Sequence, residues 1–121
     1  MKMKKFKAAV LTHQNEPLTL VAGVECHNPG RGQVLVKLAF SGVCHSQLME
    51  VRGRRGPDPY LPHLLGHEGS GKVIDIGEGV SKVSPGELVI LGWIKGSGLE
   101  GGGIEYNCDC LPQTINAGGV T

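Results

Sequence analysis

The sequence predicts a mainly β fold, in which short antiparallel strands form a closed or nearly closed barrel with one short helix. Short apolar runs recur between turn residues along the 121-residue chain. Its 20 glycines and 7 prolines are typical of many tight turns and little helix. No long segment has the 3.6-residue apolar spacing of a helix. A chain of this length forms one domain at most.

Five segments have the apolar patterning of β-strands: 5–11, 18–26, 33–40, 69–76 and 87–91. The clearest is 33–40, where side chains alternate between two faces and one face carries Val34, Val36, Leu38 and Phe40. Asn28-Pro29-Gly30 and Ser84-Pro85-Gly86 are turn sequences, because proline fixes its own φ and glycine accepts positive φ. These turns separate the predicted strands.

One short helix is predicted, with Ser46 as its N-cap and Gly53 as its end. After Trp93 the glycines become dense, which predicts a flexible glycine-rich loop over 94–110. The sequence stops at Thr121 without a capping element or a polar tail. We therefore expect residues 1–121 to be an incomplete domain.

Composition and charge exclude several classes of partner. The formal net charge is +1, which provides no strong field for nucleic acid or anionic lipid. The basic start of the chain precedes an apolar run that is too short for a signal peptide, and no run reaches the roughly 18 apolar residues of a membrane span. We expect a cytoplasmic protein without nucleic-acid or membrane partners. In that compartment the four cysteines are expected to ligate metal or to remain thiols.

Two short segments carry the chemistry. In the first, 42–46, Cys44 offers a thiolate, and in the second, 66–71, His67 offers an imidazole. Both groups are good zinc ligands, and Glu68 could add a carboxylate. Spacing alone leaves open that Cys44 is a small buried apolar residue and that His67 is an ordinary polar one.

The segment Gly66-His67-Glu68-x-x-Gly71-x5-Gly77-x2-Val80 resembles the zinc signature of the medium-chain zinc-dependent alcohol dehydrogenases. Gly42-Val43-Cys44-His45-Ser46 resembles the first-ligand segment of that family, at the usual distance upstream. Pro85-Gly86-Glu87-x-Val89 and Pro29-Gly30-x-Gly32-x-Val34-Leu35-Val36-Lys37 also resemble family motifs, so the similarity covers about 7–93. It implies a GroES-like β-barrel, the N-terminal catalytic domain of such an enzyme, without its Rossmann cofactor domain.

The resemblance also implies residue roles. Cys44 is expected as the first zinc ligand and His67 as the second. Glu68 would be a carboxylate that approaches the metal when ligands exchange. Ser46 would hydrogen-bond the substrate hydroxyl and begin a proton relay, and His45 would face the cofactor pyrophosphate. The family transfers hydride between an alcohol or aldehyde and NAD(P), and such enzymes are often homo-oligomers.

The chain departs from the family pattern at several positions. No third zinc ligand occurs before Thr121, and no Gly-x-Gly-x-x-Gly joins a strand to a helix. In the family the third ligand and the cofactor domain both lie beyond the position of Thr121, so we expect the isolated chain to be inactive. Only Cys108 and Cys110 occur where many relatives bind a structural zinc, which predicts one catalytic zinc, no structural zinc and two free thiols.

Two further departures affect the metal's surroundings. Gln47 replaces an aspartate that orients the zinc-bound histidine in many relatives, and it can still accept a hydrogen bond. Met49 replaces a histidine that carries the proton outward in some relatives, so a relay would leave Ser46 through cofactor hydroxyls, water or Glu50.

The other polar residues have ordinary interpretations. Cys26 is expected to be a half-buried thiol. The histidines outside the two segments are expected to be ordinary polar residues: His13, His27 and His63. The arginines after the predicted helix could attract an anionic substrate or a cofactor phosphate, although a solvated loop is favoured: Arg52, Arg54 and Arg55.

Three alternative functions remain at the level of the sequence. A zinc-free quinone-reductase-like oxidoreductase has the same fold but lacks the Cys and His-Glu ligands that this chain has at Cys44, His67 and Glu68. A non-catalytic GroES-like binding module has a similar length, but nothing in it requires those residues. The third alternative is a remnant without activity.

Overall fold

The computed structural model describes residues 4–94, 97–98 and 104–117. These residues belong to two compact units: 28–43 with 66–94 and 97–98 in the first, and 4–27, 44–65 and 104–117 in the second. The elements in chain order are β1 (Lys4–Val10), β2 (Thr19–Cys26), β3 (Val34–Ser41), α1 (His45–Val51), β4 (Gly69–Ile76), β5 (Leu88–Leu91), β6 (Glu105–Tyr106) and β7 (Ile115–Asn116). The structure is therefore mainly β, as the sequence predicts.

The first unit is an antiparallel sheet of three strands in the order β3-β4-β5. The register of β3 and β4 pairs Ser41 with Gly69. At the opposite end of the pair, the Gly77 amide donates to the Gln33 carbonyl over 2.8 Å. Because β3 ends where β4 begins, the residues that follow β3 lie beside those that precede β4. This register positions one side of the candidate site.

The second unit has the larger apolar core. β1 pairs with β2 and β6 pairs with β7, both antiparallel. The Phe6 and Tyr106 rings pack edge to face at 5.2 Å between centroids. The Glu25 amide donates to the Asn107 carbonyl over 2.8 Å, which connects β2 to the residue after β6. The buried core of this unit contains Val10, Val21, Val24, Cys108 and Ile115.

The helix starts earlier than the sequence suggested. Its N-cap is Cys44 rather than Ser46. The reason is local: Gln47 Oε1 accepts a hydrogen bond from the Cys44 amide over 2.7 Å, in the reciprocal arrangement of a capping box. The predicted end is confirmed, because Gly53 adopts φ of 67° and its amide donates to the Glu50 carbonyl over 3.1 Å.

All five predicted strands are present within one or two residues, but β6 and β7 were not predicted. β6 lies inside 94–110, the range predicted as a flexible glycine-rich loop. The glycine-rich segment 99–103 of that range lies outside the described residues. Within the ranges described above, no helix is long and apolar enough to cross a membrane.

The prediction of two free thiols at Cys108 and Cys110 is wrong, because the two residues form a disulfide. A turn brings them together: the Leu111 amide donates to the Cys108 carbonyl over 3.1 Å, and the two Cα atoms are 5.2 Å apart. That separation is within the range that a disulfide spans. The prediction of free thiols rested on the expected cytoplasmic compartment and on the presence of only two cysteines in this segment. The turn between Cys108 and Leu111 instead brings the two sulfur atoms together.

Gly71→Ala is expected to destabilise the first unit by about 1–3 kcal/mol. Gly71 is buried in β4, and a Cβ there would meet the Lys37 carbonyl and would lie 2.9 Å from Val36 Cγ1. The backbone of β3 would have to move. Urea unfolding measures the loss, and Gly92→Ala is the matched control, because nothing lies within 4 Å of a Cβ at Gly92. Equal stabilities of the two variants would contradict the β3–β4 packing.

Candidate active site

Gly42 and Glu68 form a close contact at the end of the β3–β4 pair. The Gly42 amide donates to the Glu68 carbonyl over 3.1 Å. A Cβ on Gly42 would lie 2.6 Å from Glu68 Cδ and 2.9 Å from Oε2. The carboxyl group therefore lies over a backbone position that only glycine leaves open. The register places Glu68 beside the residue that begins the predicted first-ligand segment, and His67 directly precedes Glu68 in the chain.

His67 has a ring nitrogen without a hydrogen-bond partner. Its Nδ1 atom is buried and makes no hydrogen bond within the part of the chain that the structure describes. Leaving a buried polar group unsatisfied costs about 1–3 kcal/mol. Such an atom indicates a missing partner, and an imidazole nitrogen binds transition metals well. This observation is consistent with His67 as a metal ligand.

Cys44, His45 and Ser46 lie in the second unit, at the start of α1. Cys44 is half-buried, and His45 is exposed as the first helical residue. The Ser46 Oγ atom is buried and has no hydrogen-bond partner among the described residues. Cys44 follows Gly42 by two peptide units, so chain geometry keeps the two Cα atoms within about 7.6 Å. The predicted first ligand is therefore covalently tethered to the end of β3.

Gln47 and Glu50 have partners that the sequence did not suggest. The Gln47 side-chain oxygen accepts the Cys44 amide, so the residue that replaces the family aspartate caps α1. Glu50, considered above as an exit for a proton, lies with its Oε1 3.5 Å from Arg55 Nη1. Its carboxylate therefore has a nearby cation.

A buried His63–Asp58 pair was missed by the sequence analysis. His63 is 2% exposed, and its Nδ1 lies 2.9 Å from Asp58 Oδ2. Asp58 Oδ1 also accepts the Tyr60 amide over 2.8 Å. The interpretation of His63 as an ordinary polar residue is wrong, because two backbone hydrogen bonds to Leu11, each 2.9 Å, hold it in the interior of the second unit. The apolar neighbours of His63 in the sequence were the available signal.

The remaining candidates behave as the sequence suggested. Cys26 is half-buried, and burial raises the pKa of its thiol, an effect that the nearby Lys4 ammonium partly opposes. A raised thiol pKa makes a poorer metal ligand, because the thiolate is the ligand form. His13 is exposed, with Nδ1 3.5 Å from Glu16 Oε2, and His27 is exposed at the end of β2.

Comparison with known sequences identifies the family. The family described as alcohol dehydrogenase GroES-like domain matches residues 30–119. S-(hydroxymethyl)glutathione dehydrogenases of Escherichia coli O1:K1 / APEC and of Shigella sonnei (strain Ss046) are each 41% identical over 86 residues. Those residues are 71% of this chain and 23% of each relative. The chain therefore spans about a quarter of the length of these relatives.

Solved structures give the same result for the fold. An alcohol dehydrogenase zinc-binding domain protein from Burkholderia ambifaria is 28% identical with a TM-score of 0.65, over 72% of this chain and 23% of that protein. An alcohol dehydrogenase from Thermotoga maritima is 37% identical with a TM-score of 0.59, over 70% of this chain and 24% of that protein. The mainly β, GroES-like fold class is confirmed. The chain belongs to the alcohol dehydrogenase family and carries its GroES-like domain.

Proposed function

We propose that the protein to which this chain belongs is a zinc-dependent alcohol dehydrogenase that transfers hydride between a small alcohol or aldehyde and NAD(P). The observation that carries the proposal is the end of the β3–β4 pair. There the register brings Glu68 against Gly42, while the adjacent His67 has a buried nitrogen without a hydrogen-bond partner. The dehydrogenase names of the relatives support the same activity.

The donor set fits zinc. A thiolate from Cys44, an imidazole from His67 and a carboxylate from Glu68 are the three ligand types that zinc binds most often in proteins. The proposal includes one catalytic ion and no structural one. A zinc ion held there would polarise the oxygen of the substrate as a Lewis acid, and a nicotinamide would accept or supply the hydride.

The side chains around these ligands have proposed tasks of their own. The unsatisfied Ser46 hydroxyl can accept the substrate's proton and donate its own onward, which begins a relay. His45 is exposed and can donate a hydrogen bond to a cofactor phosphate. Glu68 can swing from Gly42 toward a ligand position, because the atoms that lie over Gly42 belong to its rotatable side chain.

A zinc-free quinone-reductase-like enzyme and a non-catalytic GroES-like module are the competing functions. Neither gives a reason for an unsatisfied buried nitrogen on His67, or for a Cys-containing segment that begins beside Glu68. The metal-dependent function is therefore favoured.

The proposal is tested by comparing the full-length protein with the 121-residue chain. We expect alcohol-dependent formation of NADH or NADPH, read at 340 nm, only for the full-length protein. The chain spans 23% of its relatives, and it provides no dinucleotide motif and no metal-ligand candidate beyond Cys44, His67 and Glu68. Turnover by the 121-residue chain alone would contradict the prediction that this chain needs the rest of the protein for activity. No turnover by either protein, with a range of alcohols and both cofactors, would contradict the dehydrogenase proposal.

A further inference from the structure

A cleft in the second unit lies outside the roles proposed above. It has a volume of about 520 Å³ and lies between the β1–β2 connection and the C-terminal end of α1. Residues 15–17 form one wall, and the other includes Leu48, Val51, Arg52 and Arg54. All of these residues belong to one compact unit, so the cleft is a feature of that unit alone.

Three hydrogen bonds join the β1–β2 connection to the end of α1 and to the turn that follows it. The Asn15 amide donates to the Val51 carbonyl over 2.6 Å. The Gln14 Nε2 group donates to the Glu50 carbonyl over 3.2 Å and to the Gly56 carbonyl over 3.0 Å. The Gln14 side chain therefore binds the residues on both sides of the segment that contains the arginines, Glu50 before it and Gly56 after it. These bonds fix the backbone on both sides of the cleft, which lowers the backbone entropy that is lost when a ligand binds.

The charge in the cleft is mostly positive. Of the three arginines in the turn, Arg55 lies near the Glu50 carboxylate, at 3.5 Å. Arg52 and Arg54 line the cleft, and neither has an ion-pair partner among the described residues. The one carboxylate on the opposite wall, Glu16, lies 3.5 Å from His13 Nδ1. Two unpaired guanidinium groups thus face a single carboxylate.

The rest of the lining is apolar. The Leu48 side chain is apolar and yet 39% exposed, and it lines the cleft together with Val51 and Pro17. Guanidinium groups bind carboxylates and phosphates through paired N–H donors, and apolar side chains favour an alkyl group. We propose that this cleft binds a small organic anion, a carboxylate or a phosphate monoester with a short alkyl body.

The experiment measures binding by the 121-residue chain in the absence of zinc and cofactor, so a negative result would leave the proposed dehydrogenase function unaffected. Amide shifts of 15N-labelled protein are followed during titration with hexanoate, hexyl phosphate and hexanol. We expect both anions to shift the amides of Asn15, Arg52 and Arg54, and hexanol to bind at least about tenfold more weakly. The two anions separate carboxylate from phosphate recognition by their relative dissociation constants.

The variant Arg52→Gln/Arg54→Gln is expected to weaken anion binding by about tenfold or more and to leave hexanol binding unchanged. Both arginines are exposed, and glutamine keeps part of each side chain, so the fold is retained; the dispersion of the amide spectrum verifies this. Arg55→Gln is the matched control, because that arginine belongs to the same turn but lies beside Glu50. Equal binding of hexanol and hexanoate, shifts confined to other residues, or unchanged binding by the double variant would each overturn the proposal.

Discussion

Full-length protein that carries Cys44→Ser is expected to lose its zinc and its alcohol oxidation together. A thiolate is a strong zinc ligand, whereas a serine hydroxyl stays protonated and binds zinc poorly. Since even residues that only support a metal ligand contribute about 10- to 100-fold to activity, turnover is expected to fall by more than about 100-fold. Metal analysis of the purified variant, together with cofactor reduction at 340 nm, measures both effects.

Cys26→Ser is the matched control for this experiment. Cys26 is half-buried at the end of β2, and its thiol pKa is raised by burial, so it is not expected to hold metal. The control should keep its zinc and its turnover. If Cys44→Ser also kept both, Cys44 would not be a zinc ligand and the proposed site would be wrong.

Asp58→Ala is expected to cost about 3 kcal/mol of unfolding free energy. The Asp58 and His63 side chains are 1% and 3% exposed, and the carboxylate accepts from His63 Nδ1 and from the Tyr60 amide. The alanine variant would leave two buried donors without an acceptor. Asp58→Asn should cost less, because the amide oxygen still satisfies one of them. Urea unfolding at neutral pH measures the differences.

The His13–Glu16 pair provides a matched control for this measurement. It is also a histidine–carboxylate pair, at 3.5 Å, but its side chains are 74% and 62% exposed. Exposed pairs contribute little, so Glu16→Ala is expected to change the stability by less than about 0.5 kcal/mol. Similar losses for Asp58→Ala and Glu16→Ala would show that the buried pair does not stabilise the second unit.

Strands with a clear alternating pattern were predictable from the sequence. The prediction of 69–76 coincides with β4, because Val73, Ile74 and Ile76 lie close together between two glycines, Gly71 and Gly77. β6 and β7 contain two residues each, which is too short for any period to be visible. Their pairing depends on contacts with distant residues, such as the bond between the Glu25 amide and the Asn107 carbonyl. Local patterns do not encode such contacts.

The candidate site was predictable in part. The motif around His67 and Glu68 identified the residues, and the register of β3 and β4 then explains why Glu68 lies against Gly42. That contact depends on pairing between strands that are about 30 residues apart in the sequence, and such pairing is not readable from either strand alone.

Side-chain hydrogen bonds explain why two predictions were wrong, the N-cap of α1 and the environment of His63. The N-cap was assigned to Ser46, the better capping residue by type, but the Gln47 side chain fixes the start of α1 at Cys44. His63 was interpreted as an ordinary polar residue, but Asp58 satisfies its Nδ1 and so permits its burial. In both cases a specific partner outweighed the average preference of the residue.

The most direct test of the central claim is the zinc dependence of alcohol oxidation by the full-length protein. Activity is measured at 340 nm before chelation, after zinc is removed, and after one equivalent of zinc is added back. We predict that activity disappears with the metal and returns with that single equivalent, since Cys44, His67 and Glu68 belong to one proposed site. Undiminished oxidoreductase activity in protein shown to contain no zinc would contradict the account and would favour the zinc-free quinone-reductase-like alternative.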